Sequence, residues 1–157
     1  MTALLQSIAA WPGAVFLQEY WIAYLVVNAA HILGIGLLLG AILPLDLLLV
    51  RSGKGRDLAV LGPFLVRAAA AGTALAVITG LWLFSVKPAE YATNSAFQFK
   101  VALLAMAIFN VALQHHGDHF ASAMRSGQPS VRVRTLAAGS AMLWLSVLIA
   151  GRSISFV

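Results

Sequence analysis

Four long apolar runs separated by short polar breaks make up most of this 157-residue chain. The first, residues 21–50, reads WIAYLVVNAAHILGIGLLLGAILPLDLLLV, and only Asn28, His31 and Asp46 interrupt it strongly. The second covers 59–86 and ends at Lys87-Pro88. The third covers 96–122 and ends at RSGQPS, and the fourth covers 131–156. At ~1.5 Å rise per residue, each run exceeds the ~30 Å hydrocarbon layer of a bilayer, allowing for tilt. Each therefore predicts a transmembrane helix. Short connections make neighbouring spans antiparallel, so the expected fold is an all-α integral membrane protein: one domain, 1–157, built as an up-down four-transmembrane-helix bundle. Ahead of the first run, MTALLQSIAAWPGAVFLQEYW has aromatics at each end and a break at Pro12-Gly13. It predicts a short interfacial helix over 2–10 and then a turn into the first span.

Composition supports this pattern. Hydrophobic residues are 61% of the chain and charged residues 10%, against about 25% charged in soluble domains. No room remains for a separate soluble catalytic domain. The net charge of +5 sits in loops, so it reports topology rather than nucleic-acid binding. Arg51, Lys54 and Arg56 mark the first connection, and Arg125, Arg132 and Arg134 the third. In the second, Lys87 is offset by Glu90. The positive-inside rule puts both basic loops in the cytoplasm and both termini outside, in the bacterial inner (cytoplasmic) membrane. Residues 1–20 carry no Lys or Arg, so a cleaved signal peptide is not expected. The absence of cysteine removes disulfides, thiolate metal sites, iron–sulfur clusters and covalent haem attachment.

Small residues recur at four-residue spacing: Gly36 and Gly40 in the first run, and Ala68, Gly72, Ala76 and Gly80 in the second. Such stripes let helix backbones approach closely, within the chain or in a homo-oligomer. They also leave room beside a flat ligand.

Ionisable groups inside spans are costly and mark partners, cofactors or cavities. Asp46 and Arg67 lie at similar depth and are expected to pair across the first hairpin. Lys100 and Arg152 lie near the outer ends of the third and fourth spans. They either snorkel to the interface or clamp an anion such as the carboxylates of a cofactor. His31 lies deeper, with Asn28 one turn outward on the same helix face and Thr79 and Trp82 at comparable depth on the second span. An imidazole with cations closer to water suits a porphyrin, with iron on His31 and propionates on Lys100 and Arg152. Met106 is close in depth and is the candidate second axial ligand; a five-coordinate His31 haem is the other option.

The cluster His115-His116-Gly117-Asp118-His119 falls at the other end of the third span, ~15 Å from the depth of His31. His115 and His119, spaced i, i+4, would share a helix face. They form either a solvated helix end or, with Asp118, a transition-metal site. No nucleophile elbow, phosphate loop or zinc-hydrolase motif is present.

At HILGIGLLLGAILPLDL, ITGLWLFS, NSAFQFKVALL and AGRSISFV the chain resembles a family of small uncharacterised bacterial four-span membrane proteins. That family is in turn similar to the copper-resistance CopD membrane domain and to HemJ-type protoporphyrinogen oxidases. The shared histidine and lysine correspond to His31 and Lys100. The HemJ resemblance implies b-type haem on His31. The CopD resemblance implies copper handling, which would recruit histidines and methionines. The functional expectation is a membrane-embedded haem b protein in electron transfer, or in oxidation of a small substrate or quinol, with a soluble or membrane redox partner. The alternatives are copper or other metal-ion transport through His115, His119 and Met106, and a cofactor-free structural subunit of a membrane complex.

Overall fold

Helix boundaries in the computed structural model follow the local stop signals more closely than the apolar runs do. It describes residues 2–51 and 56–153. Lys54 of the first basic loop and residues 154–157, which end the fourth run and the AGRSISFV segment, lie outside the described residues. The elements are α1 (Thr2–Ala9), α2 (Pro12–Glu19), α3 (Trp21–Val50), α4 (Arg56–Val86), α5 (Pro88–Thr93), α6 (Ser95–His115), α7 (His119–Ser126) and α8 (Val131–Ser153). Every described element is helical. Four of them, α3, α4, α6 and α8, are long and apolar enough to cross a membrane.

The third run departs from expectation. It does not continue to 122: α6 stops at His115, His116 is extended, and Gly117 takes the left-handed φ of 80°, which glycine adopts without Cβ strain. The remainder becomes α7, a short amphipathic helix closed by Gly127 at φ 68°. Polar HHGDH cannot continue an apolar span, and Gly117 supplies the corner. The N-terminal segment also holds one helix more than expected. Trp11 is extended and Pro12 opens α2 at its first turn, where a missing N–H costs nothing.

α3 is central. It packs on α4 along its length and on α8, and α8 packs on α6. The outer helices α4 and α6 make no comparable contact among the described residues. One core cluster joins Leu38, Ala41, Ala69, Ala107 and Trp144 from all four long helices. A second joins Leu45, Leu49, Leu58, Val133 and Ala137 to Phe120 and Ala123 of α7. This second cluster pins the amphipathic helix to the basic-loop end.

The opposite end is covered by α1, α2 and α5. Trp82 Nε1 donates to Gly13 O at 2.8 Å, and Gln18 Nε2 donates to Val86 O at 3.1 Å. Phe84 and Phe97 stack with centroids 5.5 Å apart, and Tyr91 lies against both. Burial, the neighbouring Tyr24 hydroxyl and Glu90 hold the Tyr91 phenol above the usual tyrosine pKa.

Candidate functional site

His31 sits where α3 meets α4, on the small-residue stripe of α4. A Cβ on Gly80 would stand 2.9 Å from the imidazole Cε1. Further along the seam the backbones themselves meet. A Cβ on Gly72 would lie 2.4 Å from Leu38 N, and one on Gly34 would lie 2.7 Å from Ala76 N. The second-run stripe therefore serves close packing inside the chain. The first-run pair does not: Gly36 and Gly40 are exposed, with nothing within 4 Å of a Cβ at either.

Thr79 Oγ1 lies 3.1 Å from His31 Nδ1. The threonine has a single hydroxyl hydrogen, and it is donated to Leu75 O at 2.6 Å. Towards His31 it can only accept. The hydrogen-bond network thus assigns the neutral ring its proton on Nδ1 and leaves a lone pair on Nε2. The imidazole is only partly buried, so this lone pair belongs to a ring that is not sealed into the core.

Lys100, on α6, lays its side chain over Gly151 of α8: Cε and Nζ lie 3.3 and 3.4 Å from where a Cβ would be. It is partly buried, and its charge is felt at His31. No salt bridge to Lys100 forms among the described residues. Asn28 and Arg152 are exposed, the latter with interactions of its own. Met106, on α6, is 56% exposed. Depth alone suggests it as a second axial ligand.

The histidine cluster does not form the expected i, i+4 pair. The chain breaks between His115 and His119, which belong to different helices. His115 Nδ1 is engaged by Val111 O at 2.9 Å, and its ring packs on Phe120 with centroids 4.4 Å apart. No group of three or more His, Cys, Asp or Glu residues able to hold a metal occurs among the described residues.

Asp46 does not pair with Arg67. Arg67 is exposed, whereas Asp46 is buried and faces Ser140 on α8. The rotation of α3 that seats Asp46 against α8 takes it off the α4 side. Among the described residues, four buried side-chain atoms make no close hydrogen bond: Asp46 Oδ2, Gln114 Oε1, Ser140 Oγ and Trp144 Nε1; Asp46 and Ser140 are near enough to interact with each other. The residues carrying the first three line one cavity of about 30 Å³ together with Asn110. Residue-by-residue reading missed Asn110, Gln114 and Ser140. The signal was available in the spacing of Asn110 and Gln114, two amides one turn apart in an apolar run.

Comparison with family models, curated proteins and solved structures finds no match to this chain.

Proposed function

We propose that this chain is a four-span integral membrane protein that binds a b-type haem through His31 Nε2. In this reading it passes electrons to or from a redox partner, or oxidises a small substrate or quinol. Its basic loops face the cytoplasm and its termini face outward across the bacterial inner membrane, as the positive-inside rule favours.

One observation carries the reading: His31 Nδ1 lies against Thr79 Oγ1, whose own hydrogen goes onward to Leu75 O, with the Ala76 carbonyl a further acceptor beside the ring. Metal-ligating histidines almost always hold their second nitrogen in this way. The arrangement fixes the tautomer and ring orientation and raises the basicity of the ligating nitrogen. Lys100, close enough for its charge to act on the imidazole, is the residue that would meet a propionate. Haem supplies one-electron chemistry at a potential set by its ligand and surroundings. His31 would hold the iron, Thr79 would keep the ring from turning, and the Gly80 surface would support the ring.

The test is the haem content of protein expressed with ample haem supply and purified in detergent, measured as pyridine haemochrome per chain. The expected result is about one haem per folded chain. Folded chain free of haem overturns the reading.

A further inference from the structure

Asp46 is the one acid of this chain that lies inside the bundle. The other four, Glu19, Asp57, Glu90 and Asp118, are exposed. We propose that Asp46 is a proton-binding site: its carboxyl holds a proton at neutral pH and joins α3 to Ser140 of α8 and onward to Gln114 of α6. The site is separate from His31 and shares no residue with it.

Hydrogen counting leads to the proton. Asp46, Gln114 and Ser140 are 3%, 7% and 4% exposed and border one small cavity, with the Asp46 carboxyl against the Ser140 hydroxyl. Asp46 Oδ2, Gln114 Oε1 and Ser140 Oγ make no close hydrogen bond, although buried polar atoms nearly always find one. Gln114 Nε2 donates to Val133 O at 3.4 Å. Flipping the amide would set oxygen against oxygen, so Oε1 stays an acceptor. With Asp46 ionised, the three oxygens carry one hydrogen between them, that of Ser140. Whether it serves Asp46 or Gln114, the other is left bare. A proton on Asp46 supplies the second hydrogen. Asp46 can then donate to Ser140 and Ser140 onward to Gln114, and each of the three residues takes part in a bond.

Charge gives the same answer. A lone carboxylate in an apolar interior is strongly unfavourable and takes up a proton unless a cation compensates it. The neighbouring helices supply none. Asp46 has no salt bridge among the described residues. On α4, Arg67 is exposed. From α6 the cavity receives Asn110, Gln114 and His115, from α7 Phe120, and from α8 Ser140. Arg132 and Arg134 of α8 do not line it. His115 is the other titratable group at the cavity; it is exposed, and its Nδ1 is engaged by Val111 O. Loss of the proton would set a bare charge beside the Gln114 carbonyl dipole and loosen the contact of α3 with α8.

The experiment is infrared spectroscopy of the purified full-length protein in detergent at neutral pH, where exposed carboxylates are ionised. A carboxylic-acid carbonyl band is expected in wild type. It should be lost in Asp46→Asn, which keeps the shape of the side chain. In Ser140→Ala the band should persist but move to higher frequency, because the acid has lost its hydroxyl partner. Circular dichroism checks that each variant is folded. No carboxylic-acid band in folded wild type overturns the proposal, as does a band retained in folded Asp46→Asn. A band at the wild-type frequency in folded Ser140→Ala overturns the link to α8. Should Asp46→Asn not fold, the spectra of wild type and Ser140→Ala still decide, since only an acid bonded to Ser140 gives a band that shifts.

Discussion

Thr79 decides which nitrogen of His31 carries the proton. Its hydroxyl accepts from Nδ1 at 3.1 Å because its one hydrogen is held by Leu75 O at 2.6 Å. The local geometry of α4 thereby sets the chemistry of a side chain on α3.

Replacing Thr79 with valine keeps the volume and removes the acceptor. Loss of such an outer partner typically costs about 10- to 100-fold in affinity for the bound metal centre. Titration of haem into apoprotein should show a drop of that size for Thr79→Val. Thr79→Ser, which keeps the hydroxyl, should stay near wild type. Equal affinity in both variants would mean that Thr79 does not act through the ring.

The glycines separate into packed and open positions, and alanine should distinguish them. At Gly72 a Cβ meets Leu38 N at 2.4 Å and Gly34 O at 2.9 Å. Backbone cannot move aside as a side-chain tip can, so Gly72→Ala should force the seam apart and destabilise by about 1–3 kcal/mol. At Gly36 and Gly40 nothing lies within 4 Å. There alanine should be neutral or stabilising by up to about 1 kcal/mol, the helix-propensity difference. Thermal unfolding in detergent measures both. A Gly36→Ala or Gly40→Ala variant as damaged as Gly72→Ala would show that the open stripe is covered by another chain.

Tyr91 gives the end cap a pH dependence. Its phenol pKa is raised by burial and by its neighbours Tyr24 and Glu90, so the folded state binds this proton more tightly than the unfolded state. The stability it contributes is complete below the ordinary tyrosine pKa of about 10 and declines as pH rises through the folded value. Melting temperature should therefore fall on the alkaline side in wild type, and the fall should be shallower in Tyr91→Phe. Superimposable alkaline profiles would remove Tyr91 from the account.

Much of the fold was legible because length and hydropathy alone identify helices that can cross a bilayer. The first run matches α3 residue for residue, Trp21–Val50. The third misled because Phe120 and Ala123 are apolar and buried although they lie past the Gly117 corner; hydropathy does not register a change of direction. The site was half legible. Depth counting put Thr79 level with His31, and the two are bonded. Depth says nothing about rotation about the helix axis, however. The Asp46–Arg67 pair failed on rotation, with Asp46 facing α8 rather than α4. Small polar residues such as Ser140 carry too little hydropathy signal to stand out in an apolar run, yet the packing gathers them at one cavity.

The most direct test of the central claim is the reduced-minus-oxidised spectrum of wild type and His31→Ala, each recorded with and without added imidazole. Haem held by His31 predicts a b-type spectrum in wild type, its loss in His31→Ala, and its recovery when free imidazole occupies the vacated space. An unchanged spectrum in His31→Ala, or no haem band in folded wild type, would contradict it.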